Sequence, residues 1–169
     1  KDQCIIVNEL DAEVGPAPKE FCHLVSNIVN PDVPTLHRAF SVFLFNEKGE
    51  LLLQQRAAEK ITFPLYWTNT CCSHPLYNEE YNEREMENQN GIRRAAHRKL
   101  EHELGIPKSQ INVNKFQYMT RIMYVSASDK TWGEHEVDYC LLYQFKNPNE
   151  ITMDINKNEI EDTLYVTKQ

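Results

Sequence analysis

Residues 91–104 are closed by Gly105 and followed by Pro107, a residue that tolerates the left-handed conformation and then a helix breaker, where a helix must stop. At about 100° per residue, Ile92, Ala95, Ala96 and Leu100 fall on one apolar face, so this helix lies against a core. Lys99 and Glu103 fall in the same arc, which turns two charges inward. They can form an i,i+4 ion pair at the edge of the core, although Lys before Glu is the weaker order for such a pair. Alternatively each faces a ligand, since buried charges are normally paired or coordinating.

Around that helix the chain reads mostly as strands. Ala39-Phe40-Ser41-Val42-Phe43-Leu44-Phe45 and Glu50-Leu51-Leu52-Leu53-Gln54-Gln55 are aromatic and branched runs split by Asn46-Glu47-Lys48-Gly49, a strand, turn, strand pattern. Residues 116–125 and 136–145 read as two more strands joined by Ser126-Ala127-Ser128-Asp129, with a short strand near Leu164. Residues 78–90 are almost wholly polar and are expected to be a solvated loop. No repeat and no Gly/Ser linker divides the chain. A single domain over residues 1–169 is expected, and 41% hydrophobic content is enough for its core.

The net charge of −7 excludes nucleic acid held by a long-range positive field; an anionic ligand needs a local basic pocket. No apolar run approaches the roughly 20 residues that cross a bilayer, and nothing near Lys1 reads as a signal peptide, so a cytoplasmic protein without a membrane partner is expected. Cys4, Cys22, Cys71, Cys72 and Cys140 are an odd number with no C-x-x-C pair, which fits reduced thiols. A monomer is favoured. The chain opens at Lys1 without Met and stops at Gln169 just after Leu164-Tyr165-Val166, as a fragment or trimmed chain would.

The chemistry concentrates in Thr70-Cys71-Cys72-Ser73-His74-Pro75 and Glu134-His135-Glu136. In extended backbone, alternation sets Cys72 and His74 on one face with Cys71 and Ser73 on the other, and it pairs Glu134 with Glu136. If the two segments meet, a thiol lies beside His and Glu ligands suited to a borderline or hard divalent metal. A lone histidine or cysteine is more often structural, and the ordered set is what reverses those odds.

Together with Cys22-His23-Leu24, Leu36-His37-Arg38-Ala39-Phe40-Ser41, Leu53-Gln54-Gln55-Arg56, Lys60-Ile61-Thr62-Phe63-Pro64, Trp67-Thr68-Asn69, Glu103-Leu104-Gly105-Ile106-Pro107 and Trp132-Gly133, these segments span His23 to about Tyr143 in order. In that series the chain resembles the type I isopentenyl-diphosphate delta-isomerases of the eukaryotic kind, relatives of the Nudix fold. The resemblance implies an α/β fold, a Nudix-like α/β/α sandwich with a mixed central sheet and flanking helices.

It also implies interconversion of isopentenyl and dimethylallyl diphosphate. Protonating an unactivated alkene gives a tertiary carbocation, so the site needs an acid, a base and the exclusion of water. The family pattern puts Cys72 and Glu136 in those roles, with the first donor left open, and Tyr124 assisting through its hydroxyl. Its metal ligands fall on His23, His37, His74, Glu134 and Glu136, a set for zinc, manganese or magnesium. Lys19, Arg56, Lys60, Ser73 and Lys99 are its diphosphate-binding positions, and a second ion, Mg²⁺, bridges the diphosphate to Glu103 and to the main chain near Cys72. His97, His102 and His135 are read as ordinary surface or hydrogen-bonded histidines without a role, and Trp67 as packing. Relatives continue past Gln169 with a helical segment and a Trp that steadies the cation, so a catalytically weak, truncated member is one alternative.

Two other readings compete. Arg98-Lys99-Leu100-Glu101-His102-Glu103-Leu104-Gly105-Ile106 resembles the end of the Nudix diphosphate hydrolase motif, but Lys99 and His102 stand where that motif has carboxylates, leaving too few for a multi-metal cluster. A structural metal module fits five N/O ligands beside a free cysteine poorly, because structural zinc sites are normally four-coordinate and closed.

Overall fold

The computed structural model describes residues 2–147 and 149–168; Lys1 and Gln169, the ends of the expected domain, lie outside them. In chain order the elements are β1 (Gln3–Val7), β2 (Glu13–Pro18), α1 (Lys19–His23), α2 (Val25–Ile28), β3 (His37–Phe45), β4 (Leu51–Arg56), β5 (Trp67–Thr68), β6 (Cys71–Ser73), α3 (Asn90–Leu104), β7 (Gln117–Ala127), β8 (Gly133–Gln144) and β9 (Ile160–Val166). Among the described residues no helix is long and apolar enough to cross a membrane.

The strands form one mixed sheet around β3. Along its whole length β3 pairs in parallel with β8, from His37 opposite Glu136 to Phe45 opposite Gln144. Its other edge is shared by β1 at Ile6↔His37, by β6 at Phe40↔Ser73 to Val42↔Cys71, and by β4 at Phe45↔Leu51. A strand buried on both faces needs a nearly continuous apolar run, and Ala39–Phe45 provides it. The turn expected at residues 46–49 is stapled by Asn46, whose Oδ1 accepts from the Lys48 and Glu50 amides.

Period-two alternation separates core from site. Phe40, Val42 and Leu44 of β3, with Val137, Tyr139, Leu141 and Tyr143 of β8, join Ile92, Ala95, Ala96, Leu100 and Leu104 of α3 in the main core. The opposite face carries His37, Ser41 and Phe43 beside Glu134, Glu136, Asp138 and Cys140, and α1 covers it where the His23 ring meets His37 at 4.9 Å. Helices thus flank both faces, as the sandwich expectation requires. Asp11, in the β1–β2 turn, ties this corner together by accepting from Arg38, Arg121 and Tyr139.

The helix ends where the sequence says it must. Gly105 has φ 64° and donates to the Glu101 carbonyl at 2.9 Å. A Cβ there would stand 2.0 Å from the Asp154 carbonyl oxygen, in a residue whose amide is anchored by donating to the Leu104 carbonyl. Gly105→Ala is expected to cost about 3 kcal/mol, combining left-handed strain with that clash, and a denaturant midpoint measures it.

Two expectations need correction. Ser126 and Ala127 are not linker: they pair with Glu134 and Gly133, so β7 and β8 run two to three residues further than their apolar patterns. The polar stretch 78–90 is not wholly solvated either. Glu83 is 1% exposed, with its oxygens taken by Arg98 and the Leu76 amide. A polar sequence can be buried when each charge finds a partner, a pairing that local composition does not reveal.

Candidate active site

Three histidines from three elements stand in a near-equilateral triangle. The rings of His23 (α1), His37 (β3) and His74 (after β6) are 4.9, 5.0 and 4.9 Å apart. Together with Glu136 they offer four buried ligand atoms within 4.8 Å of one another. Each orientation has a local cause. His23 Nδ1–H donates to the Lys19 carbonyl (2.6 Å) and His37 Nδ1–H to the Thr35 carbonyl (2.7 Å), which turns both Nε2 lone pairs inward. His74 Nε2–H donates to Glu136 Oε1 at 2.8 Å.

A divalent cation fits this set. His37 Nε2 and His74 Nδ1 are buried without a hydrogen-bond partner among the described residues, a costly state for a lone pair unless something electropositive faces it. Burial and the neighbouring His37 push the His23 pKa down to about 4, and burial holds His74 well below the ordinary imidazole value, so these two rings are neutral and ready to ligate. Burial would also lower His37, but the Glu136 carboxylate 3.6 Å from Nε2 and adjacent charges raise it to about 9, so a cation binding there would displace that proton. Burial pushes Glu136 up; its contacts with His37 and His74 outweigh that and keep it ionised.

Of the five expected ligands to this metal, four converge and Glu134 does not. Its carboxylate accepts from the Tyr124 hydroxyl at 3.1 Å, and burial beside Glu136 raises its pKa. Glu103 is elsewhere again, 3% exposed beneath β6, where it meets Lys99 at 2.9 Å, Gln54 Nε2 at 3.1 Å and Cys71 Sγ at 3.4 Å. The inward Lys99 and Glu103 therefore form the ion pair that their spacing allows, while Lys99 also lines the cavity.

That cavity, about 630 Å³, is lined by the rest of the expected set: Cys72, Tyr124 and Glu136 together with Lys19, Arg56, Lys60, Ser73 and Lys99. Tyr124 donates to Glu136 Oε2 at 2.6 Å. Cys72 sits opposite Ser41 in the β3–β6 pairing, 3.5 Å from its hydroxyl and in contact with Asn69 Oδ1. Burial lifts the Cys72 thiol to about 12, so at neutral pH Sγ keeps its proton. Cys71 points to the opposite, buried side, as alternation requires.

Sequence reasoning missed several cavity residues. Ser41 donates to Asp138 Oδ2 at 2.8 Å, and burial raises Asp138 to about 7. A signal for both existed: Asp138 continues the Glu134, Glu136 alternation, and Ser41 is the one hydroxyl in an aromatic run. Trp67, expected to pack, is 44% exposed at the cavity, because β5 is a two-residue strand beside β4 with little above it. His102, given no role, also lines the cavity, whereas His97 and His135 bond to Lys108 and Thr35 away from it.

The NUDIX domain family matches residues 35–168. An isopentenyl-diphosphate delta-isomerase of Gibberella zeae is 54% identical over 167 residues, 98% of this chain and 63% of that protein. One of Phaffia rhodozyma is 56% identical over 169 residues, 99% of this chain and 64% of its own length, and one of Mus musculus is 49% identical over 168 residues, 99% of this chain and 70% of its own. The chain thus spans less than two thirds of the first two relatives. A solved Deinococcus radiodurans structure shares the fold at TM-score 0.54 with 17% identity, covering 98% of this chain and 83% of that one. With an imidazole–carboxylate nest and a free thiol opening into the same cavity, and with identity near one half running along almost all its residues, the chain belongs to the NUDIX domain family and, within it, to the isopentenyl-diphosphate delta-isomerases.

Proposed function

We propose that this chain interconverts isopentenyl and dimethylallyl diphosphate by moving a proton onto one end of the alkene and off the other side. The observation that carries this reading is the shared cavity, whose lining joins four cationic side chains to a protonated thiol, a phenol and an ionised carboxylate. Lys19, Arg56, Lys60 and Lys99, with Ser73, hold the diphosphate and so fix where the five-carbon tail lies.

Cys72 Sγ and the Glu136 carboxylate are the proton-exchanging pair, one giving a proton to the terminal carbon and the other removing one from the carbon beyond the cation. Their contrasting environments, a thiol raised by burial and a carboxyl lowered by imidazoles, suit a pair with opposite duties. Tyr124 steadies Glu136 Oε2 and can pass a proton along that hydrogen bond. Phe43 and Ile122 supply apolar surface to the cavity lining beside the reacting carbons. His23, His37, His74 and Glu136 would hold a divalent cation, with Glu134 nearby, and three imidazoles suit zinc or manganese better than magnesium. When bound, that ion makes a carboxyl proton of Glu136 easier to release. Glu103 is the proposed partner of Mg²⁺ carried in with the diphosphate. The five free cysteines suit a cytoplasmic setting.

The hydrolase reading lacks its carboxylate cluster, because Lys99 and His102 stand where that motif has carboxylates and only Glu103 remains. Incubating the protein with isopentenyl diphosphate and Mg²⁺ distinguishes the two. The expected product is the allylic isomer with its diphosphate intact; release of phosphate or pyrophosphate supports hydrolysis instead.

A further inference from the structure

One carboxylate stands among the cations of the cavity without belonging to the proton-transfer group. Glu159, just before β9, is fixed by its backbone: its amide donates to the Asn156 carbonyl at 2.9 Å and its carbonyl accepts from the Ala57 amide at 3.0 Å. Its side chain lines the cavity with Lys19, Arg56, Lys60 and Lys99. Oε2 accepts from Lys60 Nζ at 2.5 Å, and Oε1 lies 3.8 Å from His102 Nδ1, which is 3.2 Å from Lys99 Nζ. The Lys60–Glu159 pair is mostly enclosed, at 22% and 19% side-chain exposure, so water screens it only partly.

The electrostatics run the same way. Burial and the charges of Lys60 and Lys99 lower the Lys19 pKa, and Glu159 is among the groups that oppose this. Burial raises Glu159, but the Lys60 hydrogen bond and the Lys99 charge override it, so the carboxylate stays ionised. Of the four cations that line the cavity, Lys60 pairs with Glu159 and Lys99 with the deeper Glu103, while Lys19 and Arg56 have no carboxylate at ion-pair distance among the described residues.

We propose that Glu159 is a resident counter-anion of the diphosphate subsite: its carboxylate occupies Lys60 in place of a ligand oxygen and weakens diphosphate binding by competing for that lysine. This rests on the functional reading above. Substrate and product carry the same diphosphate, so tight binding of that group helps both alike and does nothing for the chemical step, while it slows release. A carboxylate placed among the lysines limits that uniform binding and leaves the proton-transfer groups untouched.

Calorimetric titration with inorganic pyrophosphate tests it in the wild type, in Glu159→Gln, and in Glu159→Gln combined with Lys60→Gln. The single variant frees Lys60 from its carboxylate and is expected to bind about tenfold more tightly; its KM for isopentenyl diphosphate falls with no gain in kcat. The double variant removes the lysine for which Glu159 competes and is expected to lose the gain, binding no more tightly than wild type. Unchanged or weaker binding by Glu159→Gln overturns the proposal, since it means that Glu159 only positions Lys60. If a thermal melt shows the single variant unfolded, Glu159→Ala is titrated in its place, and unchanged or weaker binding by it overturns the proposal. Wild type that fails to bind pyrophosphate overturns the diphosphate reading itself, and this proposal with it.

Discussion

Replacing Cys72 by alanine lowers kcat by about 10³-fold or more while the protein stays folded. An unactivated alkene accepts a proton only from a donor held in contact, and a single positioned acid or base contributes about 10²–10⁴-fold. Cys72 is half-buried at the cavity wall on a three-residue strand, and its sulfur touches Ser41, Thr68 and Asn69, each of which has another hydrogen-bond partner. Loss of the thiol is expected to shift the denaturant midpoint by no more than about 1 kcal/mol. Cys72→Ser is expected to fail as well, because a hydroxyl surrenders its proton far less readily than a thiol. An unfolded Cys72→Ala protein would instead mark the thiol as a structural element of β6.

The second large effect comes from Glu136→Gln. This carboxylate binds His74 at 2.8 Å, stands 3.6 Å from His37 and receives the Tyr124 hydroxyl at 2.6 Å, so one side chain joins the imidazole nest to the proton-transfer groups. The amide keeps the shape and loses the charge and the proton-accepting oxygen. Affinity for zinc, read by competition with a chromophoric chelator, is expected to fall by more than about 100-fold, since even outer partners of metal ligands are worth 10–100-fold. Turnover is expected to fall by at least about 10³-fold. Metal affinity within a few-fold of wild type would remove Glu136 from the ligand set.

Much of this was legible from local pattern, and what escaped was long-range. The 3.6 period and Gly105 located α3, and alternation sorted Cys71 from Cys72. The inward Lys99 and Glu103 were visible too, as helix geometry alone puts them on the apolar arc. By contrast, the convergence of His23, His37, His74 and Glu136 depends on the parallel register of β3 with β8 and on β6 closing against β3, pairings that no single segment specifies. The same limit hid Glu159, which reaches Lys60 because β9 pairs antiparallel with β4 from Val166 back to Ile160. Glu134 was grouped with Glu136 by alternation correctly as to face, but the shared face does not place both carboxylates within reach of the imidazoles. The N-terminal strands β1 and β2 left little trace, since Gly15, Pro16 and Pro18 interrupt the pattern of the second.

The most direct test of the proton-exchange account is turnover of isopentenyl diphosphate in heavy water, followed by mass and NMR analysis of the recovered dimethylallyl diphosphate. A proton delivered from a protein group that re-equilibrates with solvent puts deuterium into the new methyl group, and the diphosphate stays whole. Conversion without solvent deuterium, or loss of diphosphate with the double bond unmoved, contradicts the account.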